Sequence, residues 1–221
     1  MIAYYILAAL LTVTAALLIR AEFRFDKKQI YVFKPISSAI LVITVLLSFF
    51  RDGQHVTGYT VSLCAGMLFC MGGDMALMFM DNKKAFRIGL ALFLIGHLVY
   101  TAVFTVFSGF SGFDIVSGAV LCAAAAAIFI FLYPGLGDMK VPVLVYILVI
   151  SLMMNRAVST NWGSFFFRAQ ALCITLGAFL FYVSDVILAV NRFRMPMKYN
   201  RISLAFYYSG QMLIMVSAGL F

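Results

Sequence analysis

The sequence predicts an all-α polytopic membrane protein with eight transmembrane helices, and three observations carry that expectation. Of its 221 residues, 65% are hydrophobic and only 11% are charged, whereas a soluble domain is roughly half apolar and about a quarter charged. There is too little polar side chain to clothe a water-facing shell, which excludes a soluble domain and a disordered tail. The apolar runs are also continuous, whereas a membrane barrel alternates apolar and polar residues in segments of about ten. Finally, the net charge of +8 comes from cations gathered in short clusters between apolar runs. That placement is an orientation signal and speaks against a nucleic-acid partner.

A spanning helix needs about 20 apolar residues. Eight runs qualify, at roughly 2–19, 30–50, 57–80, 85–107, 114–132, 141–158, 163–190 and 199–220. The connections are short, so 1–221 reads as a single eight-helix domain. No basic residues lead into the first run; Arg20, Arg24, Lys27 and Lys28 follow it, so it reads as a retained span and not a signal peptide. Connections 1–2, 3–4, 5–6 and 7–8 carry Arg20, Arg24, Lys27, Lys28, then Lys83, Lys84, Arg87, then Lys140, then Arg192, Arg194, Lys198 and Arg201. The other side holds little beyond Arg51, Arg156 and Arg168. The positive-inside rule puts the basic connections in the cytoplasm and both termini outside, as an even number of spans requires. The same cations attract anionic headgroups, each worth about 1 kcal/mol near the surface. Cys64, Cys70, Cys122 and Cys173 all fall in apolar runs without a CxxC pair, and read as small buried hydrophobes.

The two halves share a pattern. Gly66-Met67-Leu68-Phe69 precedes Asp74 and Leu77, and Gly177-Ala178-Phe179-Leu180 precedes Asp185 and Leu188 at the same spacing. A basic connection follows each block, then a helix with a Gly-polar pair, Gly96-His97 or Gly210-Gln211. This suggests a parallel four-plus-four repeat, of a kind that occurs in transporters; chance likeness between apolar helices is the alternative.

A carboxylate inside a membrane costs about 2.5–3.5 kcal/mol on insertion scales, and such residues face a protein interior or a wet cavity. The candidates are Lys34 beside Pro35, Asp74 late in helix 3, His97 in helix 4, Asp185 late in helix 7, and Tyr207, Tyr208 and Gln211 in helix 8. The topology puts both aspartates about 8–9 Å from the cytoplasmic end at about 1.5 Å per residue, with Lys34 at a similar depth and His97 and Gln211 deeper. That slab is what a polar cavity open to the inner leaflet requires. The bland alternatives are a structural Lys34–Asp74 ion pair, a snorkelling pair of Asp185 with Arg192 or Arg194, a hydrogen-bonded core His97, and tyrosines of an interfacial belt. Glu22, Asp26, Asp52, Asp81, Asp114 and Asp138 lie at loops or ends and are assigned to solvent. Met67, Met71, Met75, Met78 and Met80 supply adaptable packing or a flexible acyl-chain lining.

Two carboxyls in a low-dielectric pocket can divide acid and base between them. Such a pair suits hydrolysis through an oxocarbenium ion, as in glycosidases, and a vinyl ether needs the same chemistry: protonation at the β-carbon, water addition, and collapse of the hemiacetal to aldehyde and alcohol. No nucleophile elbow, Walker A motif or dinucleotide fingerprint is present. A three-histidine zinc site is excluded because only His55 and His97 exist, although two Asp and one His could hold a divalent metal. The reading adopted has no metal and no cofactor.

Several stretches carry a resemblance: Lys34-Pro35; Gly73-Asp74-xx-Leu77 followed by Phe86, Gly89 and Gly96-His97-xx-Tyr100; Pro142-xxx-Tyr146 with Met154 and Ala157; Gly177-Ala178-xx-Phe181-xx-Ser184-Asp185-xx-Leu188-Ala189; then Phe193-xx-Pro196 and Tyr207-Tyr208-xx-Gln211-xx-Ile214-xx-Ser217. From helix 2 to helix 8 the chain resembles the YhhN/lysoplasmalogenase family of integral membrane proteins. One departure is Gly96, where the family often has Ala before the histidine. The resemblance implies hydrolysis of the vinyl ether bond of a lysoplasmalogen to a fatty aldehyde and glycerophosphoethanolamine or glycerophosphocholine. It puts Asp74 and Asp185 at the family's acidic positions as the catalytic pair, and Lys34, His97, Tyr100, Tyr146, Tyr207, Tyr208 and Gln211 at substrate-binding positions. The expected partners are a lysophospholipid and membrane lipids, in a bacterial plasma membrane with the cavity toward the cytoplasmic leaflet. Two other classes stay open: a proton-coupled transporter using the same charges, and a non-catalytic lipid-binding protein.

Overall fold

A computed structural model describes residues 2–50 and 56–220. Arg51 and Asp52, read above as loop or end residues, and His55 lie outside the described residues. The chain forms α1 (Ile2–Phe23), α2 (Lys27–Leu46, extended by a 3-10 turn Leu47–Phe50), α3 (Thr57–Leu77), α4 (Lys83–Ser108), α5 (Phe113–Leu132), α6 (Lys140–Ser159), α7 (Arg168–Phe193) and α8 (Ile202–Ser217). No strand occurs among the described residues. In hydrocarbon every backbone donor and acceptor must be satisfied within the protein, and helices do so within one segment. The ends are set by polar caps: Asp26 accepts from the Gln29 amide at 3.2 Å, Asn82 from the Lys84 amide at 2.8 Å, and Gly109 ends α4 at φ 70°.

Among the described residues seven helices are long and apolar enough to cross a membrane, and the chain is an all-helical integral membrane protein. The expected eighth span, 199–220, is shorter: α8 has 16 residues, about 24 Å at 1.5 Å per residue, because the non-helical segment 195–201, which contains Pro196, precedes it. The expected run 163–190 likewise begins as helix only at Arg168, and the run 57–80 leaves the helix at Leu77. Hydropathy does not distinguish an apolar turn from an apolar helix.

Six helices close a ring in the order α2, α3, α4, α6, α7, α8 and back to α2, while α1 packs outside α2 and α8 and α5 packs outside α6. The tightest crossings are α3 with α4 and α7 with α8. Small residues permit that approach: a Cβ on Gly177 would lie 2.6 Å from the Gly210 carbonyl oxygen, and a Cβ on Gly96 would lie 2.7 Å from the Cys70 sulfur. The four cysteines differ from the expectation. Only Cys70 is buried, and Cys122 is exposed on the outer face of α5, where membrane lipid and not protein is its apolar surrounding.

Candidate active site

The end of the molecule where the basic connections gather holds Lys34, Asp74 and Asp185. Asp74, on α3, is 2% exposed. Its Oδ1 lies 3.9 Å from Lys34 Nζ and its Oδ2 accepts from the Ser38 hydroxyl at 2.8 Å. Lys34 and Ser38 are one helical turn apart on α2, so one face of that helix serves the carboxylate twice. The ion pair weighed above therefore exists.

Asp185, on α7, has different company. Tyr146, on α6, donates its hydroxyl to Oδ2 at 2.5 Å, and His97 Nε2 lies 3.7 Å from the same oxygen. The snorkelling pair is absent: the Arg192 guanidinium sits 4.8 Å over the Phe86 ring and that of Arg194 over Phe131. His97 is fully buried, with Nδ1 2.6 Å from the Phe93 carbonyl oxygen. A carbonyl can only accept, so Nδ1 carries hydrogen. Nε2 has no hydrogen-bond partner, and in the neutral ring its lone pair faces Asp185.

The two aspartates line one cleft. It spans about 520 Å³ counted to its open mouth, room for water, whose share of liquid volume is about 30 Å³. Lys34, Tyr207, Ser184 and the rings of Phe93 and Tyr207 share the lining. The matched depth expected for the aspartates is not what aligns them, since Asp74 is three residues from its helix end and Asp185 eight from its own. The packing of α3 and α7 within the ring brings them to the same space.

A second chamber meets the first at Asp185. It spans about 660 Å³, likewise counted to its open mouth, between α4, α5, α6 and α7, and its walls are apolar side chains such as Leu90, Ile147, Ile150 and Ala189, with Arg192 also in the lining. Leu77, Phe93, Leu188 and Asp185 belong to both spaces.

The remaining candidates lie elsewhere. Tyr100 donates to Gln211 Oε1 at 3.0 Å, and this pair is fully buried outside the cleft lining, with Gln211 Nε2 unpaired. Tyr208 lines a separate groove between α1 and α8. Met80 lines the cleft and Met67 is core.

Two acidic residues assigned to solvent are not in solvent. Glu22 is 9% exposed, lines the cleft and pairs with Arg201 at 3.2 Å. It was missed because an acid beside a basic cluster at a helix end reads as surface. Asp114 pairs with buried Arg156 at 2.8 Å and accepts from Ser159 and Ser111 at the opposite end of the molecule. That cluster ties α5 to α6. Among the described residues no three His, Cys, Asp or Glu side chains gather to hold a metal ion.

Fold and site together define a helical membrane protein with a carboxylate-lined cleft joined to an apolar chamber. The chain belongs to the YhhN family, which matches residues 29–218. Among curated relatives, lysoplasmalogenase TMEM86A of Bos taurus is 32% identical over 161 residues, covering 69% of this chain and 63% of that protein. The Homo sapiens TMEM86A is 31% identical over the same shares. Lysoplasmalogenase TMEM86B of Sus scrofa is 29% identical over 182 residues, covering 80% of this chain and 72% of that protein. The chain thus matches less than two thirds of the length of the TMEM86A relatives. No solved structure gives a significant match.

Proposed function

We propose that this protein is a membrane-embedded hydrolase that cleaves the vinyl ether bond of a lysoplasmalogen, with Asp185 as proton donor and Asp74 as the carboxylate that handles water. One observation carries the reading: two aspartates from different helices line one water-sized cleft with unlike partners, a lysine for Asp74 and a phenol with an imidazole for Asp185. Unlike surroundings are what separates an acid from a base in a carboxyl pair. The His97 lone pair and Asp185 Oδ2 are two acceptors facing each other, and one proton held between the two groups resolves their meeting.

In the reaction, Asp185 gives that proton to the β-carbon of the vinyl ether. The oxocarbenium ion that forms sits between ionised Asp74 and the faces of Phe93 and Tyr207, which favour a cation. Asp74 takes a proton from water as its oxygen bonds to the α-carbon. The hemiacetal then breaks its bond to the glycerol oxygen, which takes the proton from Asp74, while the hemiacetal hydroxyl gives its proton to Asp185 as the aldehyde forms, so both carboxyls return to their starting state. The net change is addition of one water. The two joined spaces suit such a substrate: the alkenyl chain fills the apolar chamber, the polar headgroup fills the cleft, and the ether bond lies where Asp185 belongs to both. The names of the relatives point to the same substrate.

Asp74→Asn and Asp185→Asn each abolish aldehyde release from lysoplasmalogen while the purified protein keeps its elution profile and helical spectrum. A loss of at least about a hundredfold is the scale of a general acid or base. Full activity in either variant removes that residue from the mechanism.

A further inference from the structure

We propose that Glu22 and Arg201 form a headgroup-reading pair, Arg201 taking the phosphate and Glu22 the ammonium of a zwitterionic single-chain lipid. The inference deepens the reading of the cleft as the polar half of an amphiphile site. It does not come from the family match, since Glu22 precedes the matched segment 29–218.

Glu22 stands in the last turn of α1 and Arg201 immediately before α8, and both line the cleft that holds Asp74 and Asp185. Their side chains pair at 3.2 Å and are 11% and 24% exposed, so the carboxylate is sheltered and the arginine is the more accessible of the two. Lys34 of the same cleft is engaged with Asp74. Glu22 and Arg201 are therefore opposite charges in the lining that satisfy each other and no catalytic group.

A ligand entering this place must exchange that ion pair for its own contacts. A zwitterion does so without leaving a charge alone: its phosphate takes the guanidinium, for which the planar fork is suited, and its ammonium takes the carboxylate. An anionic headgroup satisfies Arg201 but strands Glu22 in a sheltered site, and an uncompensated buried charge is costly. Selection therefore comes from the penalty against the wrong lipid as much as from attraction to the right one.

The test is binding of two ester-linked lysolipids that carry no vinyl ether, 1-acyl lysophosphatidylethanolamine and 1-acyl lysophosphatidylglycerol, to the detergent-purified full chain. Because neither is cleaved through this chemistry, a failure of the hydrolase reading leaves the measurement intact. The expected result is at least tenfold tighter binding of the ethanolamine lipid. Glu22→Gln brings the two within about twofold, by weakening the ethanolamine lipid, which loses its carboxylate, and tightening the glycerol one, which no longer strands a charge. Arg201→Gln moves the ratio the other way, because Glu22 then lacks its own cation and favours the ammonium more. A pair that only staples α1 to α8 would shift both lipids equally in both variants. Equal affinities in the parent protein, or a ratio unmoved by Glu22→Gln, overturn the proposal. Should Glu22→Gln not fold, a ratio that fails to widen in Arg201→Gln overturns it.

Discussion

At the residue scale the two aspartates are alike in chemistry and unlike in company. Asp74 has its cation on the preceding helix of the ring, Lys34 of α2, and Asp185 has a phenol on its own preceding helix, Tyr146 of α6. Lys34→Met removes the compensating charge from a carboxylate that is 2% exposed. Breaking a buried pair from one side costs about 3–5 kcal/mol, so the melting temperature in detergent falls, and Lys34→Met/Asp74→Asn recovers most of it because both charges are gone. No recovery in the double variant would show that Lys34 acts through its own packing. Tyr146→Phe deletes one hydrogen bond to Asp185 Oδ2. A hydrogen bond to a protonated carboxyl is worth about 0.5–1.5 kcal/mol, so kcat falls by up to about tenfold while the fold is kept. An unchanged kcat would mean that Asp185 is oriented by His97 alone. Of these groups, Lys34, Asp74, His97 and Asp185 were legible because a charge in an apolar run is expensive and therefore conspicuous. Ser38 and Glu22 were not, since a serine in a membrane helix costs little and an acid at a helix end beside cations looks solvated.

At the scale of elements the site depends on how closely helices approach. Gly177 and Gly210 meet across α7 and α8, where a Cβ on either would stand 2.6 Å from the other's carbonyl oxygen. Backbone cannot yield as a side-chain tip does. Gly177→Val therefore displaces α7, which carries Asp185, and costs about 1–3 kcal/mol as overpacking does, read as a lower melting temperature with lost turnover. Gly58→Ala, whose added Cβ meets nothing nearer than Phe107 at 3.8 Å, leaves both unchanged and serves as the control. The glycines were visible in the sequence as spacing within two similar blocks. Which helix each one faces was not, because a small residue records that something comes close without recording what.

At the scale of the whole molecule, one ring of helices holds a polar cleft and an apolar chamber that share Asp185. Ala189 lines the chamber, and Ala189→Phe fills part of it. The substrate preference then shifts to shorter alkenyl chains, seen as a KM that rises more steeply with chain length than in the parent protein. A chain-length profile that does not change would place the tail elsewhere, against the outer helices or in the lipid. Turnover of purified protein in detergent separates a hydrolase from a carrier, since catalysis needs no gradient and coupled transport does.

The sequence by itself determined the class, the number of apolar segments and the identity of most buried charges, because transfer from water to hydrocarbon is priced residue by residue and leaves its record in composition and order. It also determined that Asp74 and Asp185 needed polar company. Only the tertiary structure decided which company: that Asp74 meets Lys34 and Ser38, that Asp185 meets Tyr146 and His97 and not an arginine, and that Glu22 turns inward to Arg201. Those outcomes depend on the rotation of each helix about its axis and on which helices are neighbours. Both are set by packing between residues distant in the chain, and no local pattern of hydropathy encodes them.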